Sequence, residues 1–84
     1  GQARELTTSP DGKEVAFVFR GDVFVAGVEG GGTKRITNTP EAETGVKFAP
    51  DGKSLVYASE REGRWAIYEA RRVRDSEPYF YAST

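Results

Sequence analysis

Ser9-Pro10-Asp11-Gly12-Lys13-Glu14-Val15-Ala16-Phe17 decides the fold, because it opens as a turn and closes as a strand. Pro10 presets the backbone for the second position of a turn. Asp11 can accept a hydrogen bond from nearby backbone, and Gly12 tolerates the left-handed geometry of a bulged hairpin. The run Val15-Ala16-Phe17-Val18-Phe19 is β-branched and aromatic, and too short for a typical helix. Forty residues on, Pro50-Asp51-Gly52-Lys53 repeats Pro10-Asp11-Gly12-Lys13. The flanks keep their character at that offset: Leu6 matches Val46, Ser9 matches Ala49, Val15 matches Leu55 and Phe17 matches Tyr57. A period near forty with strand-like content is the size of one four-stranded propeller blade.

Outward from this stretch the signals stay β. Gly21-Asp22 reads as a two-residue hairpin into Val23-Phe24-Val25-Ala26, and Glu29-Gly30-Gly31-Gly32 turns the chain into Thr33-Lys34-Arg35-Ile36-Thr37. Residues 38–41, with Asn38 and Pro40, read as a loop. The second copy offers Val46-Lys47-Phe48, Ser54-Leu55-Val56-Tyr57-Ala58 and Trp65-Ala66-Ile67-Tyr68, with Val23-Phe24-Val25 matched to Ala66-Ile67-Tyr68. Tyr79-Phe80-Tyr81 is the expected last strand. No segment carries a 3.6-residue stripe. The expected fold is all-β: two four-stranded antiparallel blades of a β-propeller fragment, over residues 1–40 and 41–84. Strands with one wet face alternate apolar and polar residues. Residues 15–19 and 23–26 are apolar throughout, which predicts burial of both faces, as in stacked blades.

Composition narrows the function. Twelve basic and thirteen acidic side chains give a net charge of −1, which argues against a dedicated nucleic-acid binder. There is no cysteine for a disulfide, a thiolate or a zinc cluster, and no histidine as general base or metal ligand. The longest apolar runs are five residues, so no membrane-spanning helix is expected.

The residues 9–17 quoted above, Gly21-Asp22-Val23-Phe24-Val25, and Lys34-Arg35-Ile36-Thr37-Asn38-Thr39-Pro40 resemble the TolB-like propeller repeat, a relative of the WD-type blade. That repeat occurs in TolB, in tricorn-type proteases and in prolyl-oligopeptidase-like enzymes. The tail Glu77-Pro78-Tyr79-Phe80-Tyr81-Ala82-Ser83-Thr84 looks most like the propeller of bacterial tricorn-like serine peptidases. Two departures stand out: Ala49 replaces an expected serine, and Thr44-Gly45 stands where proline or an aromatic residue is more usual. The resemblance implies a non-catalytic scaffold that binds a protein or peptide, or gates a separate domain of a tricorn-like serine peptidase. The alternative is a TolB-type periplasmic protein–protein interaction module with no peptidase attached. It also implies a periplasmic or secreted location. Propellers close with about 4–8 blades. Two blades would therefore need the remaining blades of a longer chain, or a homo-oligomer in which three copies complete six.

The candidate sites read as structural. Ser9, Ser54, Ser59, Ser76 and Ser83 have no histidine to activate them, so no catalytic residue is expected and this segment is not expected to be an enzyme. Asp11 and Asp51 lack the alternating-carboxylate spacing of a calcium loop, and turn chemistry accounts for both; no metal or cofactor is expected. Glu41 with Glu43, and Glu60 with Glu62, are expected to be solvated loop residues. In Arg20-Gly21-Asp22 the Gly-Asp pair serves the hairpin, and Gly30-Gly31-Gly32 reads as a flexible connection. Arg71-Arg72-Val73-Arg74, beside Asp75 and Glu77, is a solvated basic cluster. Trp65 and Tyr79-Phe80-Tyr81 are expected to pack blades rather than form a ligand platform.

Overall fold

The repeated turn organises everything around it in a computed structural model that describes residues 5–72 and 79–81. Strands β1 (Leu6–Thr8), β2 (Glu14–Phe19), β3 (Asp22–Gly27) and β4 (Thr33–Arg35) form one antiparallel meander. Strands β5 (Glu43–Phe48), β6 (Ser54–Ser59) and β7 (Ala66–Arg71) form a second. The fold is all-β: the described residues form two antiparallel sheets in the arrangement of a propeller fragment, with a 3-10 turn at Arg61–Gly63.

The first hairpin falls one residue earlier than Gly21-Asp22. Its two-residue loop is Arg20-Gly21, both with positive φ (50° and 82°), and Asp22 already pairs with Phe19. This is the φ pattern of the tight turn that matches strand twist. The corresponding connection in the second sheet is six residues long, from Glu60 to Trp65. Those four extra residues shift the correspondence between β3 and β7. Phe17 pairs with Phe24, and its counterpart Tyr57 pairs with Tyr68. Phe24 therefore corresponds to Tyr68, rather than to Ile67 as expected. A one-residue slip exchanges the faces of a strand, so the corrected register determines which side chains meet.

The core lies between the sheets. Ala16, Val23 and Val25 from the first sheet meet Val46, Leu55 and Tyr57 from the second, and Phe80 joins them. Strand β5 lies against β1, β2 and β3. The Thr44-Gly45 departure has a local purpose. The β5–β6 pairing is irregular between Thr44 and Lys47, with Gly45 at φ 67°. There the Thr44 hydroxyl and the Gly45 amide both donate to the Glu5 carboxylate, tying the entry to β1 to the bulge.

The stretch Tyr79-Phe80-Tyr81 is not the expected strand; it bends and turns. Phe80 is buried and meets Phe48 edge-on at 6.3 Å between ring centroids. Tyr81 N–H donates to the Glu14 carboxylate at 3.1 Å. This crossing to the first sheet is possible because Gly27 and Gly31 leave room for a ring: a Cβ at Gly31 would stand 2.7 Å from Tyr81. The glycine run is thus a seat for Tyr81 rather than a flexible connection. Among the described residues the second sheet has three strands.

Burial of both faces holds for one side only within this chain. The inward side of β2 and β3 is closed, with Ala16, Val23 and Val25 fully buried. Their other side carries Leu6, Val15, Phe17, Phe19 and Phe24. Leu6 is 61% exposed and Phe19 50% exposed. Phe17 stacks on Phe24 at 5.7 Å and Phe19 meets the same ring edge-on at 6.2 Å, a continuous aromatic surface.

Candidate functional site

The two Pro-Asp-Gly-Lys turns come to one rim of the molecule. Gly52 approaches Pro10 so closely that a Cβ on it would lie 3.5 Å from the proline ring. Each turn is held the same way. Gly12 N–H donates to the Ser9 carbonyl at 2.9 Å, and Gly52 N–H to the Ala49 carbonyl at 2.8 Å. One Asp11 oxygen accepts from Lys13 N–H at 3.0 Å, and one Asp51 oxygen from Lys53 N–H at 2.9 Å.

Between the turns opens a cleft of about 250 Å³, lined by Ser9, Asp11 and Glu14 on one side and Asp51, Lys53 and Arg72 on the other. A second cleft of about 260 Å³ flanks the first turn on its far side, lined by Lys13, Glu29, Tyr79 and Tyr81. The two tyrosine rings stack there at 5.4 Å. The rim therefore offers charges of both signs next to paired aromatic rings.

Electrostatics within the rim are set by local geometry. The Lys13 N–H, and next the Ser9 hydroxyl, hold the Asp11 carboxyl below its ordinary value. Burial pushes the Glu14 carboxyl up, opposed by the backbone N–H groups of Tyr81 and Phe80 and by the Arg72 charge.

The other singled-out residues divide clearly. The Ser9 hydroxyl donates to Asp11 at 2.8 Å and accepts from Glu14 N–H at 3.0 Å, so it is committed to its turn. Ser54 is buried. Ser76 and Ser83 lie outside the described residues. Glu43 overturns the expectation of a solvated loop. It begins β5, is 2% exposed, and its carboxylate accepts from the Ser59 hydroxyl at 2.7 Å and the Thr39 hydroxyl at 2.9 Å. Sequence reasoning missed this because the partners lie in two different segments; only the run of hydroxyl residues around the acid hinted at it. Ser59 and Glu43 are both sealed from solvent, which makes the pair a structural anchor. Glu60 and Glu62 are exposed, as expected.

Arg20-Gly21-Asp22 is absorbed by the fold. Arg20 lies over the Phe19 ring at 5.3 Å, Gly21 C=O accepts from Glu43 N–H, and Asp22 accepts from the Thr37 hydroxyl. Of the basic cluster, Arg71 is exposed on β7 and Arg72 lies over Phe80 at 5.8 Å, while Val73 and Arg74, with Asp75 and Glu77, fall outside the described residues. Trp65 is 55% exposed. Asp11 and Asp51 reach the same cleft, but among the described residues no three acidic side chains gather at metal-binding distance. No helix among the described residues is long and apolar enough to cross a membrane.

No family model matches the chain. Among curated proteins it is similar to the Tol-Pal system protein TolB of Bordetella pertussis, and equally to the TolB proteins of Bordetella parapertussis and Bordetella bronchiseptica. Each is 35% identical over 48 residues, a match covering 56% of this chain and 11% of the relative. The similarity supports a TolB-like propeller repeat, in a chain that spans only about a tenth of those relatives' length.

Proposed function

We propose that residues 1–40 and 41–84 are two blades of a TolB-like propeller that act, without chemistry of their own, as a rigid scaffold for binding a protein or peptide at the rim of repeated turns. The observation that carries this reading is the side-by-side placement of the two turns, with a charged cleft between them and stacked tyrosines beside them. Backbone hydrogen bonds fix both turns, so little ordering entropy opposes binding. The similarity to TolB proteins supports a role in protein interaction, in the periplasm or outside the cell. The same rim would serve as the gate of an attached peptidase if a peptidase domain were encoded in the same reading frame. Closure of the ring falls to further blades or to further copies of the chain.

Panning the 84-residue chain against a phage-displayed random peptide library tests the reading. Saturable peptides should be selected, and Lys53→Glu or Tyr81→Ala should weaken them at least tenfold. A broad panel of peptide and ester substrates should remain uncut. Failure to select any saturable peptide, or turnover that survives repurification, would overturn it.

A further inference from the structure

The aromatic face left open on the first sheet has a defined complement elsewhere in the same chain. The corrected register pairs Phe17 with Phe24 and Tyr57 with Tyr68, so the open face carrying Val15, Phe17 and Phe24 corresponds to the face carrying Leu55, Tyr57 and Tyr68. In the second sheet that face is closed: it packs on Ala16, Val23 and Val25 of the first. By the same register, Ala16 corresponds to Val56, Val18 to Ala58 and Val23 to Ile67. Those three residues lie on the outward face of the second sheet, where Ile67 is 73% exposed. The chain thus presents, on opposite sides, the two halves of the interface it already makes internally.

We propose that the open aromatic face binds the outward face of the second sheet of another copy of this chain, head to tail, so that each contact repeats the internal packing. The proposal rests on the reading of both sheets as propeller blades but concerns a surface separate from the rim. A contact between unlike faces leaves both faces available at the ends and closes only as a ring. With two blades in each copy, two to four copies bring the ring to about 4–8 blades, the range that closes a propeller.

Charge supports this direction. Glu69 pairs with Val56, where Val25 pairs with Ala16 in the internal interface. A carboxylate at such a position needs a cation as it is covered. Arg35 stands at the end of the row Leu6, Phe17, Phe24 on the opposing face and supplies one. An association of the aromatic face with its own copy would instead leave Glu69 outside the contact.

Light scattering coupled to size exclusion tests the contact with the 84-residue chain itself. The expected particle is a closed ring of two to four chains, each of 9.2 kDa. Phe17→Glu on one face and Ile67→Glu on the other should each give a monomer. Their equimolar mixture should give a dimer, because each variant keeps the face the other needs. Phe19→Glu, at a half-exposed position, replaces Phe17→Glu if circular dichroism shows that variant unfolded. Arg35→Glu should weaken assembly at least tenfold, and Arg35→Glu with Glu69→Arg should restore it. A 9.2 kDa particle at every concentration up to millimolar overturns the proposal. So does an assembly that survives Ile67→Glu intact, which would mean that the aromatic face pairs with itself. Neither result bears on peptide capture at the rim, which the library selection measures separately.

Discussion

The two repeated turns share a backbone and differ by one hydroxyl. In both, the residue before proline accepts from the glycine amide, and the aspartate accepts from the lysine amide two positions on. In both, its own N–H reaches the carbonyl that opens the next strand, Ser9 to Glu14 and Ala49 to Ser54, each at 2.9 Å. Only Ser9 adds a side-chain clasp, to Asp11 and to Glu14 N–H. Proline, aspartate and glycine therefore suffice to shape the turn, and serine strengthens it. The sheets that follow differ more. The apolar pair Leu55 and Tyr57 is buried in the second sheet, whereas Val15 and Phe17 at the matching positions of the first remain half-buried.

The largest test of this contrast is truncation at the matched positions. Leu55→Ala should destabilise the chain by about 2–5 kcal/mol, the range for a fully buried leucine, whereas Val15→Ala should cost less than half as much. Urea denaturation of the two variants under dissociating conditions measures the difference; equal losses would mean that the faces are equally closed. Next comes the buried anchor of the second sheet. Ser59→Ala removes a donor from the Glu43 carboxylate and should cost about 1–3 kcal/mol, read from the shift in denaturation midpoint. Smaller again is the exchange between the turns themselves. Ser9→Ala should lose about 1 kcal/mol, the typical worth of a hydrogen bond to a buried amide, and Ala49→Ser should recover part of that amount. If Ala49→Ser gives no gain, the turns are less alike than their backbones.

The smallest effect is read by pH and contrasts two acids of the first repeat, Glu14 and Asp11. Glu14 is raised by burial, so the folded state favours its protonated form. Its favourable contribution is present below the ordinary value of 4.5 and is lost as pH rises through the higher folded value. Glu14→Gln should therefore match the parent chain in acid and become the more stable of the two as pH climbs above 4.5. Asp11 runs the opposite way. Its carboxyl is depressed by the Lys13 amide and the Ser9 hydroxyl, so what it contributes is present above 3.8 and fades as pH falls below it. Thermal melts from pH 3 to pH 8 on both chains read the two trends together.

The strands were legible because local chemistry alone specifies them: a proline-aspartate-glycine turn, then a run of β-branched and aromatic residues. The repeat also conveyed that blades stack. What the sequence could not convey depends on residues far apart in the chain. Glu43 reads as a loop acid until Ser59 and Thr39 close over it. Tyr79-Phe80-Tyr81 has strand composition, yet the space above Gly31 and the amide-seeking carboxylate of Glu14 draw it into a turn. The match between β3 and β7 was offset because the length of the second hairpin connection, not its apolar content, sets the register. The rim site was half visible: both turns were evident as motifs, but their meeting at one edge depends on how the sheets pack.

The bond between Tyr81 and Glu14 spans 67 positions. During synthesis the first sheet leaves the ribosome with its inward-facing acid still unmet, and the amide that answers it is among the last described residues to be made. Contacts that close so long a stretch form late and slowly. The first sheet can therefore be complete in its own strand pairing before the amide that answers Glu14 has been made.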